Sequence, residues 1–459
     1  MLTYTLKKAP GMPLYEALYR CIREDILSGT LPPGQKLPSQ RSFAAHLEVS
    51  KITVEAAYGQ LLAEGYVRAE RRRGYFVEAV DVRRRSVPSP VHPAPEARAP
   101  LIDLTGQAPD GFPFSVWSRL QRQTLLDMGE RLLQPMPNQG VWELRQAIAA
   151  HLSQFRGLHV EPEHILIGAG TDFLYNLLIQ LLGRDKTYAL EEPGYGKIHR
   201  IYAANAVPCV HAGMDGQGVA PEGLKGVQVL HISPSHHFPT GIITPMHRRL
   251  ALLAWAKEAP ERYIIEDDYD SEFRFAAHPM PAMASLDDAG RVIYMNTFSK
   301  TLAPSIRISY LVLPGGLMEK FQRELGFYSG TVPSFEQYTL ARFLGEGYFE
   351  KHLNRMRKIY KTRRNQILAT LKNCPHAGRF AVREQDAGLH FLLRVDTREE
   401  DAALCARWEA AGVRVRALSS FYHGQAPESD RHCLVVNYSG LQPEQLSLLA
   451  RALEQIEIP

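Results

Sequence analysis

Leu14, Leu18, Ile22 and Ile26 fall four residues apart, with Tyr15 and Cys21 beside them and Gly29 after them. That spacing lays one apolar stripe along a helix, which the glycine ends. In "LPSQRSFAAHLEVS", Ser39 is an N-cap just after Pro38, and Phe43, Ala44 and Leu47 form the inward face of a second helix. A third, "SKITVEAAYGQLLAEG", has Ser50 as its N-cap, Val54, Ala57, Tyr58, Leu61 and Leu62 at the helical period, and Gly65 past its end. "YVRAERRRGYFV" then reads as two short strands around a basic turn containing Gly74. Short helices followed by a basic hairpin predict a winged helix-turn-helix over residues 11–78.

The periodicity breaks at residue 79. "AVDVRRRSVPSPVHPAPEARAP" (79–100) has five prolines and no aromatic residue, so residues 79–101 are expected to form an extended, solvated linker in which Arg83, Arg84 and Arg85 are available to brush a polyanion. From residue 102 onward, apolar runs alternate with helical patterns: "HILIGAG", "TYALEEPG", "VQVLHISPS", "RYIIEDDYD" and "RVIYMNTFSK". Continuous runs such as "YIIE" and "VLHI" are strands buried on both faces, which predicts an α/β domain over 102–459 with a mostly parallel central sheet. Ligands of such sheets bind beyond the carboxyl ends of the strands, where each run delivers its polar residues.

Composition narrows this picture. A chain of 459 residues that is 45% hydrophobic is expected to build two or more cores. No apolar run approaches the ~20 residues that span a bilayer, and the first twenty residues lack a signal-peptide apolar region, so a cytoplasmic location is expected. Cys21, Cys209, Cys374, Cys405 and Cys433 are scattered and form no CxxC pair, which argues against disulfides and a cysteine zinc site. The net charge of +4 is uneven: residues 1–85 carry 14 Lys and Arg against 9 Asp and Glu, and the rest carry 39 against 40. Clustered cations in the first segment point to nucleic acid.

The polar residues of the large domain suit pyridoxal phosphate, which needs an amine, a carboxylate for its ring nitrogen, a planar group against the ring, a donor to its phenolate and donors with an arginine for its phosphate. Lys300 supplies the amine, Asp267 the carboxylate, Tyr269 the phenolate contact and Tyr195 the stacking ring. Arg307, Thr297 and Ser299 serve the phosphate, joined by the backbone N–H groups of Thr171 and Asp172 where "GAGTDFLYNLL" opens a helix after a glycine turn.

"LPSQRSFAAHLEVSKITVEAAYGQLLAEGYVRAERRRGYFV" resembles the DNA-binding domain of the GntR family of transcription regulators. The resemblance implies that Ser39 and Arg41 hold phosphates, that Ser50, Lys51 and Thr53 sit at the tip of the recognition helix, and that Arg71, Arg72, Arg73 and Gly74 form the wing. The rest resembles the fold-type I aminotransferases, with a smaller C-terminal α+β subdomain. A GntR-like head on such a body, with "SPSHHFPTG", "EDDYDSEFRF" and "TFSKTLAPSIRISY", resembles the MocR subfamily. That resemblance implies a Schiff base of Lys300 with pyridoxal phosphate as its only chemistry, a head-to-tail homodimer, and double-stranded promoter DNA with two half-sites. It also implies that the effector is pyridoxal phosphate itself or an amino acid or amine joined to it as an external aldimine.

Three departures from aminotransferases bear on turnover. "HHFPTG" puts Phe238 where those enzymes have an asparagine bonding the phenolate, leaving that contact to Tyr269, His236 or His237. Val435, in "RHCLVVNYSGL", takes the place of their substrate-carboxylate arginine, with Arg414, Arg416 and Arg431 nearby as other sources of a clamp. Ser309 stands where they usually have glycine, in keeping with a site released from strict catalytic demands. A regulator that is not an enzyme is therefore expected; a working aminotransferase with an appended head is the alternative.

Overall fold

Leu18, Tyr19, Ile22 and Ile26 close onto the core of the N-terminal unit from α1 (Leu14–Ser28), while Tyr15 turns outward and Gly29, at φ 81°, ends the helix. The coordinates are a computed structural model that describes residues 2–4, 13–79, 102–106, 111–274, 280–384 and 388–457. They divide into two units, residues 1–97 and 98–459. The expected linker lies outside the described residues apart from Ala79, as do Arg83, Arg84 and Arg85. In the first unit α2 spans Gln40–His46 and α3 spans Lys51–Ala63. Ser39 and Ser50 cap them, their side chains accepting from the N–H of Ser42 (3.2 Å) and Thr53 (3.1 Å). Val54, Ala57, Tyr58 and Leu61 are fully buried, each larger side chain contributing about 1.5–3 kcal/mol, but Leu62 is exposed. It stands 100° around the helix from Leu61, so only one of the pair can face the core. Strands β1 (Val67–Glu70) and β2 (Gly74–Val77) pair antiparallel with Glu70 opposite Gly74, making the hairpin.

In the second unit β3 (Ile102–Asp103) precedes the strands of the main sheet: β4 (Ile165–Gly168), β5 (Tyr188–Glu192), β6 (Cys209–Asp215), β7 (Gly218–Val219), β8 (Val229–Ile232), β9 (Tyr263–Asp267), β10 (Val292–Thr297) and β11 (Ser309–Val312). Their order is β4-β11-β10-β9-β8-β5-β6-β7. The contiguous run β10-β9-β8-β5-β6 is parallel, while β11 lies antiparallel between β10 and β4 and β7 returns antiparallel beside β6, so the sheet is mixed. A parallel crossover needs roughly a dozen residues or more. Only residues 298–308 separate β10 from β11, so the chain doubles back, and Lys300 is carried in that return.

A four-stranded antiparallel sheet, ordered β12-β13-β16-β15, forms the C-terminal subdomain from β12 (Phe380–Arg383), β13 (His390–Val395), β15 (Arg416–Ala417) and β16 (Cys433–Asn437); β14 (Val413–Arg414) pairs instead with β3. Beneath the carboxyl end of β9 lies a buried ionic layer. Arg156 Nε meets Asp268 Oδ2 at 2.8 Å, with both side chains almost inaccessible. Tyr294 and Ser271 donate hydroxyl hydrogen bonds to the same carboxylate oxygen at 2.6 and 2.8 Å. Glu266 accepts from the N–H groups of Met283 and Ala284. Two of the three acids in "EDD" are thereby used to fix the loop, and the third is free to face a ligand.

Candidate cofactor and DNA-binding sites

That third acid, Asp267, ends β9 and is 6% exposed. Its Oδ2 accepts from the Tyr175 hydroxyl at 2.8 Å and stands 3.6 Å from His231 Nε2. Its Oδ1 is buried with no hydrogen-bond partner. A buried carboxylate oxygen left unpaired is costly, and a protonated ring nitrogen is the kind of donor that relieves it. Lys300 follows β10 in the short helix Phe298–Thr301. Burial lowers the pKa of its amine, against the opposing fields of Asp270 and Asp267. This favours the neutral, nucleophilic form. Tyr269 is half-buried, its phenol pushed well above its ordinary value by desolvation, and its hydroxyl lies 3.3 Å from His236 Nδ1. His236 Nδ1 is engaged with Asp270 at 2.9 Å and His237 Nδ1 with Thr240 at 2.7 Å, while the Nε2 of each histidine is buried without a hydrogen-bond partner, so all three candidates for the phenolate keep a polar atom that can serve it.

The phosphate end is built on the turn before the helix Thr171–Leu182. Gly170 has φ 86°, and a Cβ there would come within 2.2 Å of the Arg307 guanidinium, so the glycine makes room for the arginine. Arg307 is itself held at φ 50°, a left-handed backbone that costs a non-glycine residue about 1 kcal/mol or more. The two hydroxyls differ in availability. Thr297 Oγ1 accepts from Ser309 Oγ at 2.8 Å and from the Ser299 N–H at 3.2 Å, whereas Ser299 Oγ is buried without a partner. Ser309 is therefore not a relaxed glycine position: it is fully buried and orients Thr297. The Asp172 carboxylate is bound by Lys197 at 2.7 Å and by Arg307 at 3.3 Å, which leaves the N–H groups of the helix's first turn as its donors toward an anion.

Beside this site opens a cavity of about 700 Å³ lined by Tyr195, Phe238, Arg416, Phe421 and several histidines. Neither Lys300 nor Asp267 lines it; His231 does, and connects the two. Tyr195 is half-exposed and meets Phe238 edge to face, ring centroids 5.9 Å apart. In the C-terminal sheet Val435 on β16 is paired in register with Arg416 on β15. Cross-strand partners share a face, so the Arg416 side chain stands one strand away from Val435, and its guanidinium lies over the Phe421 ring at 4.3 Å. Arg414 is instead held by Glu409 and Asp103, and Arg431 by Glu428.

In the N-terminal unit the predicted residues lie at the starts of α2 and α3 and in the hairpin turn. Arg41, Lys51, Arg71 and Arg72 are exposed and form no ion pair with another described residue. Arg73 differs: it is bound to Glu70 at 2.5 Å and lies over Phe76. Arg72 has φ 63° and Gly74 φ 116°, so the turn needs its glycine. Ser50 Oγ and Thr53 Oγ1 are 2.8 Å apart, closing the cap that presents Lys51. Between them Ile52 is 76% exposed.

Residues 14–77 match the family of bacterial regulatory proteins, gntR family, and residues 99–453 match aminotransferase class I and II. The HTH-type transcriptional regulator YdeL of Bacillus subtilis is 37% identical over 93% of both chains. The probable rhizopine catabolism regulatory protein MocR of Rhizobium meliloti is 34% identical, over 96% of this chain and 93% of that one. This chain belongs to the MocR subfamily of GntR-family regulators. Its MocR-type relatives include the pyridoxine biosynthesis regulator PdxR of Corynebacterium glutamicum, 31% identical over 89% of this chain and 88% of that one. An archaeal alanine:glyoxylate aminotransferase shares the fold, with a TM-score of 0.69 and 24% identity over 77% of this chain and 90% of that one.

For a MocR-type chain, several residues now in view carried weak signals in the sequence. Lys197 closes "EEPGYGK", and its distance from Asp172 along the chain hides their pairing. Tyr175 is one helical turn past Thr171, where a tyrosine on an otherwise apolar face reads as core. Ile52 breaks no pattern; only its outward position marks it.

Proposed function

We propose that the chain is a transcription regulator whose large domain holds pyridoxal phosphate, and whose DNA affinity follows the state of that site. The observation that carries this is that one domain holds both Asp267 Oδ1, buried and unpartnered, at the end of β9 and, after the adjacent β10, a Lys300 amine that burial keeps toward its neutral form. When bound, pyridoxal phosphate supplies an aldehyde with which primary amines condense. Around it, Asp267 holds the ring-nitrogen proton, Tyr269 bonds the phenolate, Tyr195 covers the ring, and Arg307, Ser299, Thr171 and Asp172 hold the phosphate, Thr297 acting through Ser299. The name of PdxR supports pyridoxal phosphate as the signal; the cavity supports a larger one, an amino compound with an acidic group received by Arg416. On the DNA, Arg41, Lys51, Arg71 and Arg72 meet phosphates, Ser39 and Ser50 fix the helix starts, Thr53 and Ile52 face base edges, and Gly74 lets the wing approach a groove. As a head-to-tail homodimer the chain would present two heads to two half-sites, and an effector shifts DNA affinity only by the difference in its affinity for the two arrangements.

Val435 in place of the substrate arginine favours regulation over turnover, since loss of a clamp removes orientation of the reacting bond. The test is a near-visible titration of the purified chain with pyridoxal phosphate and a panel of amines, run beside promoter binding. The expected results are a new absorption band that Lys300→Ala abolishes and a change in promoter affinity. Rapid multiple turnover of amino donors without specific DNA binding would overturn the reading in favour of an aminotransferase.

A further inference from the structure

His199, His211 and His423 converge on one wall of the cavity. They come from three separate elements: the helix Gly196–Ala204, strand β6 and the segment after β15. One ring nitrogen from each lies within 4.8 Å of the others. His199 Nε2 and His423 Nε2 are 2.9 Å apart, one donating to the other, and the ring centroids are 4.2–4.9 Å apart. His199 Nδ1 is buried with no partner. The segment bearing His423 is pinned by Glu192, which accepts from the N–H groups of His423 and Gly424 at 2.8 and 3.0 Å. None of the three has a place in cofactor or DNA binding.

We propose that His199, His211 and His423 bind a divalent late-transition-metal ion, with Zn²⁺ the natural occupant, leaving its fourth coordination position open to the cavity. Three imidazoles suit zinc, copper and nickel rather than magnesium or calcium, which take oxygen ligands. Zinc–nitrogen bonds of about 2.0–2.1 Å at tetrahedral angles separate two ligand nitrogens by about 3.3 Å. The 2.9 Å contact therefore needs to open by only a few tenths of an ångström. Neutral imidazole is the form that ligates. All three residues line the cavity, so the ion would join the helix that begins beside Tyr195 to the segment that carries Phe421. Its exchangeable position would face the space assigned to the effector. The metal site does not depend on the cofactor reading, because its ligands include none of the cofactor residues.

The untagged full-length chain, stripped with a chelator and dialysed, is titrated with Zn²⁺ against a chromophoric competitor and separately with Co²⁺. Expected are one ion per chain with a submicromolar dissociation constant and intense visible bands of tetrahedral cobalt. His211→Ala should weaken binding at least tenfold. His423→Gln should do the same, and because His423 is exposed this variant keeps its fold, as circular dichroism checks. Zn²⁺ should also raise the melting temperature of the parent chain more than that of either variant. Absence of stoichiometric binding overturns the proposal, leaving a stacked histidine cluster. Undiminished binding by the His211→Ala/His423→Gln double variant likewise overturns it, placing the metal on other side chains.

Discussion

Asp267→Asn is the most direct probe of the large domain. The substitution keeps size and shape, and an amide oxygen can still accept from Tyr175 at the 2.8 Å position. What changes is the second atom: Oδ1, buried and unpaired, is replaced by an N–H₂ that cannot accept a proton from a pyridinium nitrogen. A hydrogen bond to a charged group contributes about 1.5–3 kcal/mol. At 1.36 kcal/mol per factor of ten, pyridoxal phosphate should bind about 10–150-fold more weakly. Its near-visible band should move as the ring nitrogen loses its proton. Equilibrium dialysis and absorbance titration of the parent and variant, with melting curves to check folding, measure both. An unchanged affinity and band would refute the assignment. The role could not pass simply to Asp268 or Glu266: the first is bound to Arg156, Tyr294 and Ser271, the second to two backbone N–H groups.

Replacing Lys51 or Arg41 by alanine should weaken promoter binding and reduce the slope of log affinity against log salt by about 0.9 per lost phosphate contact; fluorescence anisotropy at several salt concentrations reads this, and an unchanged slope means no phosphate is touched. Arg156→Met should cost about 3–5 kcal/mol by stranding the buried Asp268 charge, seen in denaturant unfolding, and a loss under about 1 kcal/mol would mean that Asp268 does not carry its charge in the fold. Glu191 has its carboxyl raised by burial from 4.5 to about 8. Because the folded pKa is raised, the protonated form is favoured by folding, so this residue's contribution is full at acid pH and is lost as pH climbs from about 4.5 toward 8. Glu191→Gln should flatten that part of the stability curve, and equal slopes of melting temperature against pH in both proteins would contradict it.

The helices of the first unit were legible because an apolar stripe at helical spacing can face only one way, and serine caps mark where α2 and α3 begin. The strands of the large domain were legible as short continuous apolar runs, and because β9 and β10 deliver their chains to the same edge, Asp267 and Lys300 could be read from "YIIED" and "MNTFSK" alone. Other features depend on neighbours remote in sequence. The sheet is mixed because the short connection after β10 forces β11 back alongside it. Thr297 spends its acceptor on Ser309, and Arg73 is tied to Glu70 while Arg71 and Arg72 stay exposed. Arg416 comes to stand beside Val435 only through the register of β15 with β16. The three histidines meet from positions 199, 211 and 423. The sequence by itself determined the elements, the order of the two units and the chemistry at the strand ends, since periodicity and caps are local. Only the tertiary structure decided which polar groups are already satisfied and which remain for a ligand, because hydrogen bonds and ion pairs saturate, and their partners are chosen by packing across the whole fold.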